Sequence, residues 1–483
     1  MERLSDHLRK NWLAYLVTAV YALLLALVIS RHEPWFDEAQ SWLLARDTSP
    51  ITLVTKYLRY EGTPGLWQLT LMVPAKLGLP YGSLKVVSWI VAVAGIYVFT
   101  RFAPFPNYVK VILPFSFFLF YQYAVVARSY VLLPLLLFLI VVIYDRKMER
   151  IPAFTVLACL LANVCTQGLV MAAVLFGVHL LDLRKAWPEL DGAARRRQVY
   201  AVLAFAVVCL LVVAMIFPPR DLDFPAFKSA GISALFHSRT KWKMLSTSLT
   251  GVPFLSAAVL LLSALWFWRR RVLLLYLALT LALLATFIFA YANVWHEGIL
   301  LLAWLFVTWI SFQDREERAA WSRELPTRGL RQVMCGALVV VAIIQANWSF
   351  NSARYDWSYK YSASREIADY IKENHMEGDV IYANGWHPIS ILPYFKRNIF
   401  DNYNGKDNPS FWFWSEENNM VRSLDLMVAD GPDWIIWGVK FPGEDILPTI
   451  AGYELVRYFD GALYWKYYVF QKDAFALYRR IET

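Results

Sequence analysis

Long apolar runs alternate with short polar segments along the first 350 residues. Each run approaches the roughly 20 residues that an α-helix needs to cross a bilayer. The pattern predicts about eleven membrane-spanning helices. The runs cover residues 12–30, 83–100, 111–126, 130–144, 151–165, 168–183, 199–217, 252–268, 272–291, 298–312 and 332–347. The fifth and sixth runs are short and separated only at 166–168, so they also suit a tilted or re-entrant pair.

The segments between the runs fall into two sets. One set holds nearly all the arginine clusters, at 3–10, 101–110, 145–150, 183–198, 268–271 and 314–331. Short basic segments stay on the cytoplasmic side of a membrane. The sequence therefore predicts a multi-pass protein of the plasma (inner) membrane, with a cytoplasmic N-terminus and an extracytoplasmic C-terminus.

Composition supports this class of protein. Hydrophobic residues make up 58% of the chain and charged residues 18%, which is far from the composition of soluble domains. The net charge of +9 comes from the short clusters between apolar runs, so it predicts no nucleic-acid partner. The four cysteines lie in apolar runs without metal-ligand spacing. The basic start followed by about 19 apolar residues indicates a first span rather than a cleaved signal.

The chain divides into a membrane module, residues 1–350, and a soluble extracytoplasmic α/β domain, residues 351–483. In the first outer loop, 31–82, Ser49 and Pro50 predict a capped helix lying in the membrane interface, and a second apolar stretch ends near Pro74. In the soluble domain the pattern predicts a helix, two buried strands and a terminal hairpin. These elements cover 362–374, 379–383 and 434–439, and 453–459 joined to 463–471 through Asp460 and Gly461.

Two adjacent carboxylates, Asp37 and Glu38, lie in the first outer loop among Trp35, Phe36 and Trp42. Neighbouring side chains on a helix diverge by about 100°, so the two cannot do the same task. One can face a cavity while the other is anchored. A carboxylate near apolar walls has a raised pKa, which suits a general base.

Other polar residues on the outer side have two interpretations each. Glu61 with His296 or Glu297 is a candidate divalent-metal site; alternatively Glu61 binds a sugar hydroxyl or caps a helix, and His296 is an interface histidine. One further group could stack on sugar rings or pack in the core, and it comprises Trp386, His387 and residues 411–414. Another could be a phosphate-binding loop or a solvated basic stretch, and it comprises His237, Arg239, Lys241 and Lys243.

Three short motifs then resemble one family. They are W-x-D-E-A at 35–39, E-G-T-P-G-L-W at 61–67 and A-R-S-Y at 127–130, all on the same predicted side. Together they resemble the GT-C superfamily of polyprenyl-phosphate-sugar-dependent glycosyltransferases, and within it the protein O-mannosyltransferase and aminoarabinose-transferase group. The resemblance covers roughly residues 12–300. Gly65 departs from it, since relatives often have a second proline there.

The resemblance implies a donor sugar on polyprenyl phosphate and an acceptor that is a lipid, a glycan or a protein. Asp37 would be the general base, with Glu38 beside it, and transfer would invert the sugar carbon. Arg128 would bind the phosphate, and substrate binding would also involve Tyr130, Glu61, His296 and Glu297. The alternative is a transporter, flippase or binding protein for lipid-linked glycans, which would more often have internal pseudo-symmetry. A mere anchor would not need so many spans.

Overall fold

The computed structural model describes residues 2–223, 239–313, 327–403, 410–416, 424–440 and 447–481. Helices dominate the first three quarters of the chain, and strands occur only after residue 380 in the described ranges. The α-helices are α1 Glu2–Arg31, α2 Phe36–Asp47, α3 Pro50–Thr52, α4 Leu58–Glu61, α5 Leu66–Lys76, α6 Ser83–Phe102, α7 Asn107–Ile112, α8 Leu132–Ile143, α9 Ile151–Ala162, α10 Thr166–Ala186, α11 Gly192–Ile216, α12 Arg239–Thr247, α13 Pro253–Arg269, α14 Leu273–Phe289, α15 Glu297–Phe312, α16 Thr327–Ser358, α17 Ser364–Glu373 and α18 Leu424–Ala429.

The helices coincide with the predicted apolar runs. Within the described residues, eight helical segments are long and apolar enough to cross a membrane, and α9, α13 and α14 are shorter apolar helices. Each of the predicted runs matches one of these. Helix α11 is apolar with exposed leucines such as Leu210 and Leu211, as expected of a lipid-facing helix, whereas α15 is buried on all sides. The fifth and sixth runs are separate helices, divided at Cys165, which caps α10.

The third run is not one regular α-helix. It begins as α7, passes through a 3-10 turn at Leu113–Phe115, and ends as a π-helix at Phe118–Val125. Pro114 has no N–H to continue the α-helical ladder, so the hydrogen-bond pattern changes there. The π-helix brings the chain to Ala127 and Arg128, next to the first outer loop.

The first outer loop is helical. Ser49 caps its second helical segment, where the Oγ atom accepts a hydrogen bond from the N–H of Thr52 at 3.1 Å. That segment comprises α3, a π turn at Leu53–Tyr57 and α4, and it ends at Gly62 with φ of 62°. Helix α5 continues past Pro74 to Lys76, so the predicted end at Pro74 is two residues early.

After α16, which runs on to Ser358, the chain forms a small α/β domain. The strands are β1 Ile381–Asn384, β2 Trp434–Val439, β3 Tyr453–Phe459, β4 Ala462–Trp465, β5 Tyr468–Lys472 and β6 Ala474–Arg480. Its four-stranded sheet has the order β1-β2-β6-β3, in which β1 and β2 are parallel and the other pairs are antiparallel. The predicted helix is α17, and the two predicted buried strands are β1 and β2.

The predicted terminal hairpin through Asp460 and Gly461 is wrong. Strand β3 pairs with β6, and β4 instead pairs with β5 around a turn at Lys466. Gly461 lies where chain segments cross, because a Cβ atom there would approach the backbone of Ala363 to 2.5 Å and of Asp473 to 2.6 Å. The glycine is therefore needed for close packing and not for a two-residue hairpin turn.

The β4–β5 turn docks the soluble domain onto the helices. The Nζ atom of Lys466 lies 2.6 Å from Oε2 of Glu297, at the start of α15, and 2.7 Å from the carbonyl oxygen of Thr247. Both charged side chains are buried, with 4% and 7% exposure. Burial lowers the pKa of Lys466, and Glu297 partly offsets that effect. One hydrophobic core continues from the helices into this domain.

We expect Lys466→Met to destabilise the protein by about 3–5 kcal/mol, because it leaves the Glu297 carboxylate buried without its cation. The measurement is thermal unfolding in detergent micelles. The matched control is Lys472→Met on the same hairpin, whose partner Asp460 is exposed, and which should change stability by about 1 kcal/mol or less. Adding Glu297→Gln to Lys466→Met should recover much of the loss. Equal losses in the two lysine variants would contradict the docking role.

Candidate active site

A cavity of about 390 Å³ opens at the end of the helix bundle away from the arginine clusters. Its walls come from α2, the Glu61–Thr63 turn, the residues before α8, the start of α10, the ends of α11 and α14, and the residues just before α15. Trp414 of the soluble domain closes one side. Asp37, Glu61, Arg128, Tyr130 and His296 all line it, so the structure brings together five of the residues singled out from the sequence.

Glu38 is the anchored member of the acidic pair. Its Oε1 atom accepts a hydrogen bond from the backbone N–H of Ala127 at 2.7 Å, and its Oε2 atom accepts one from that of Trp35 at 3.2 Å. The side chain is fully buried and is not part of the cavity lining. Glu38 therefore ties the start of α2 to the segment that carries Arg128.

A buried histidine holds Glu38 in place. His32 lies between two carboxylates, with Nε2 3.1 Å from Glu38 and Nδ1 3.0 Å from Asp356, at the end of α16. Tyr121 donates a second hydrogen bond to Asp356 at 2.9 Å. Burial alone would lower the pKa of His32, but the two carboxylates outweigh it and raise the pKa to about 9. Both ring nitrogens therefore carry protons, and His32 is a buried imidazolium.

Asp37 faces the cavity on the other side of α2. Its carboxylate is 24% exposed, and its Oδ2 atom lies 2.8 Å from Nη2 of Arg128. Burial raises the pKa of Asp37, while Arg128 opposes that effect. The Arg128 guanidinium also lies over the rings of Trp295, at 4.7 Å, and Tyr130, at 5.0 Å. The arrangement combines a carboxylate with a cation in a partly enclosed site.

Glu61 is the second carboxylate of the cavity. Its Oε1 atom accepts a hydrogen bond from Nε2 of Gln40 at 2.8 Å. Burial raises the pKa of Glu61 to about 8, with Gln40 acting in the opposite direction. Gln40 also exchanges two hydrogen bonds with the backbone of Trp412, at 2.7 and 2.8 Å. This pairing fixes α2 to the soluble domain.

The Glu61–His296 pair does not fit a divalent-metal site. Nδ1 of His296 accepts a hydrogen bond from the backbone N–H of Asn293 at 2.8 Å, so the neutral ring carries its proton on Nε2. That Nε2 atom lies 2.9 Å from the hydroxyl of Tyr130, which leaves no lone pair for a cation. Among the described residues no group of three or more His, Cys, Asp or Glu side chains has metal-binding geometry.

The remaining candidates lie elsewhere. Glu297 pairs with Lys466 outside the cavity lining, and Trp386 and His387 pack against Phe36 at ring distances of 4.4 and 6.1 Å. Of residues 411–414, only Trp414 lines the cavity. His237 lies outside the described residues, as do the side chains of Arg239 and Lys241, and Lys243 is exposed.

Sequence reasoning missed His32, Gln40, Trp295 and Asp356. His32 and Gln40 lie near the acidic pair in sequence, and Trp295 precedes His296. Closeness to residues already singled out could therefore have identified these three. Nothing in the sequence links Asp356 to residue 32.

No protein-family model matches the chain, and no curated protein matches it in sequence. Among solved structures, it is similar to ArnT from Cupriavidus metallidurans in a crystal structure with undecaprenyl phosphate bound. The match has 11% identity and a TM-score of 0.52, and it covers 97% of this chain and 98% of the other. The chain has a GT-C-type fold. The fold predicted from the motifs is thus confirmed, and the structural likeness to ArnT extends over the C-terminal domain as well as residues 12–300.

We expect the protein to lose stability as the pH rises from about 6.5 to about 9. The folded state holds the His32 proton up to a pKa of about 9, above the usual 6.5, so its stabilisation is complete below 6.5 and disappears through 9. Glu61 acts in the same direction. The folded state raises its pKa to about 8 and so holds the carboxyl proton more tightly than the unfolded state does, and stability therefore falls as the pH rises from 4.5 to 8.

Thermal unfolding of the wild type, His32→Gln and Glu61→Gln at pH 6.5, 8 and 9 distinguishes the contributions of His32 and Glu61 to the pH dependence of stability. His32→Gln should be less stable than the wild type at pH 6.5 and should lose the step between pH 8 and 9. Glu61→Gln should keep that step. A wild-type unfolding midpoint that stays constant from pH 8 to 9 would contradict the imidazolium.

Proposed function

We propose that this protein is a membrane glycosyltransferase that moves a sugar from polyprenyl phosphate to an extracytoplasmic acceptor. The observation that carries the proposal is the Asp37–Arg128 pair at 2.8 Å inside the cavity, where a base and a phosphate-binding cation meet. The GT-C-type fold and the undecaprenyl phosphate bound to ArnT support the donor class. The cavity volume is within the roughly 300–1,000 Å³ that small-molecule sites usually have.

The transfer is a direct displacement. Arg128 binds the donor phosphate, since a guanidinium stays charged and pairs with phosphate oxygens. Asp37 accepts the proton of the acceptor nucleophile as that atom attacks the anomeric carbon. The bond from the anomeric carbon to the phosphate oxygen breaks, and its electron pair leaves with polyprenyl phosphate. One attack on the opposite face inverts the anomeric carbon, and the phosphate leaves without a general acid.

The other polar groups position the reactants. Glu61, Tyr130 and His296 line the cavity and offer hydrogen-bonding groups to the sugar or to the acceptor. A pKa of about 8 keeps Glu61 largely protonated near neutral pH, so it can donate as well as accept. Glu38 and Glu297 are positioning residues, because Glu38 holds the Arg128 segment and Glu297 anchors the soluble domain beside His296.

The prenyl tail follows the apolar side of the cavity. Val213 and Ile216 at the end of α11 and Thr286 and Ala290 at the end of α14 line this side. Val213 is 46% exposed on the outer face of the bundle, where membrane lipid would lie. A polyprenyl chain can therefore stay in the membrane while its phosphate reaches Arg128.

The cavity belongs to the extracytoplasmic side in this proposal. Helices α8, α10, α11 and α14 each have one end at or beside the cavity and the other end at or near a basic cluster, which the positive-inside rule places in the cytoplasm. The position of the polar groups at helix ends also argues against a flippase or transporter, whose binding sites lie near the bilayer midplane. The acceptor in this proposal is an extracytoplasmic lipid, glycan or protein.

Asp37→Asn should lower transfer by about 100- to 10,000-fold, because the amide cannot take the proton. The assay follows release of polyprenyl phosphate from a panel of polyprenyl-phosphate hexoses and pentoses in membranes that contain the endogenous acceptor. Asp47→Asn, the same change at the other end of α2, is the control and should keep activity. If Asp37→Asn releases polyprenyl phosphate at the wild-type rate, Asp37 is not the base. If the wild type releases none with any donor, the proposed function is wrong.

Arg128→Ala should weaken binding of undecaprenyl phosphate by about 10- to 100-fold, because the phosphate loses a charge-assisted hydrogen bond. Binding is measured by native mass spectrometry of the detergent-solubilised protein. Arg365→Ala is the control, because this arginine is exposed, pairs with Glu33 and does not line the cavity. Unchanged phosphate affinity in Arg128→Ala would refute the proposed phosphate contact.

A further inference from the structure

A second, much smaller void lies next to Arg128. It has a volume of about 10 Å³, which is about the space of one water-sized sphere or one oxygen atom. Trp35, Arg128 and Trp295 line it from the helix bundle, and Tyr361, Trp465 and Phe470 line it from the soluble domain. Arg128 and Trp295 also line the main cavity, so the two spaces adjoin at these residues.

Three hydrogen-bond donors on residues that line this void have no acceptor among the described residues. They are Nε1 of Trp35, Nε1 of Trp295 and Nη1 of Arg128, and all three atoms are buried. The two tryptophans are only 3% and 8% exposed. Their rings lie 6.0 Å apart, and the guanidinium lies 4.7 Å from the Trp295 ring. A buried donor without an acceptor is destabilising, so three such donors on residues that line one void need an explanation.

The chemistry of the donors identifies the ligand. Indole N–H and guanidinium groups can only donate, so the atom that satisfies them is an acceptor. The fixed charge of Arg128 favours an anionic oxygen over a neutral one. Gln122 also lines the void, and its amide can add a further donor. The volume admits one oxygen atom but no whole phosphate, whose remaining atoms would lie in the main cavity.

We propose that Trp35, Trp295 and Arg128 form an oxyanion niche that receives one nonbridging oxygen of the lipid phosphate. The proposal rests on the proposed function and deepens it. It divides the tasks of Arg128: Nη2 pairs with Asp37, and Nη1, which is buried without an acceptor, is left to bind the phosphate oxygen. The phosphate gains a negative charge when the sugar bond breaks, so donors placed at that oxygen stabilise the leaving group more than the ground state.

The test compares Trp35→Phe and Trp295→Phe with Trp309→Phe. Phenylalanine removes the indole N–H and keeps an aromatic ring. Trp309 is the matched control, because its buried Nε1 atom also has no acceptor among the described residues but its ring packs against Phe99 and Phe105, away from both voids. Affinities for undecaprenyl phosphate, undecaprenol and inorganic phosphate are measured by native mass spectrometry and thermal shift on the full-length protein in detergent.

We expect each niche variant to lose about tenfold or more in affinity for undecaprenyl phosphate, with unchanged affinity for the neutral undecaprenol. Trp309→Phe should match the wild type for both lipids. Stabilisation of the wild type by inorganic phosphate alone, lost in both niche variants, would support the niche with free phosphate as a ligand. If a phenylalanine variant fails to fold, 3-benzothienylalanine at that position removes the N–H and keeps the bicyclic shape.

Unchanged phosphate affinity in both niche variants, with only a lower unfolding temperature, would mean that the niche holds a structural water, and would overturn the inference. If the wild type binds the lipid phosphate and Arg128→Ala abolishes that binding while the niche variants keep it, this inference fails and the proposed function stands. If the wild type does not bind undecaprenyl phosphate at all, the donor class fails first.

Discussion

The His32 imidazolium between Glu38 and Asp356 is the interaction on which the arrangement of the site depends. Two carboxylates buried together repel each other, and neither is stable away from water without a shared cation. His32 follows the first membrane helix, Glu38 belongs to α2, and Asp356 ends the last membrane helix. One charged ring therefore joins the two ends of the membrane module to the helix that carries Asp37.

This network explains why two adjacent acidic residues differ in role. Glu38 uses both oxygens on backbone N–H groups and on His32, so α2 cannot rotate without losing several buried hydrogen bonds. Asp37, one residue earlier, is then held towards Arg128. A site organised before substrate binds need not reorganise during the reaction, which is where electrostatic catalysis gains most. The rigidity comes from residues outside the cavity.

Much of the fold was predictable because its signals are local. Apolar runs set the helices, the Ser49 cap set the interfacial segment, and α17, β1 and β2 followed from periodicity. The candidate cavity residues were also predictable, since Asp37, Glu61 and Arg128 belong to short motifs. The pairing of β3 with β6 was not predictable, because Gly461 matters for a close approach between distant segments. The contacts of His32 with Asp356 and of Gln40 with Trp412 span more than 300 residues and leave no pattern in a single sequence.

The Lys466–Glu297 pair has a consequence for how the chain is made. The two residues are 169 positions apart, and Glu297 is synthesised first. The carboxylate at the start of α15 is thus without its cation until the β4–β5 turn has been made and has folded against the helices. A polypeptide that ends before residue 466 therefore leaves this buried carboxylate without its partner.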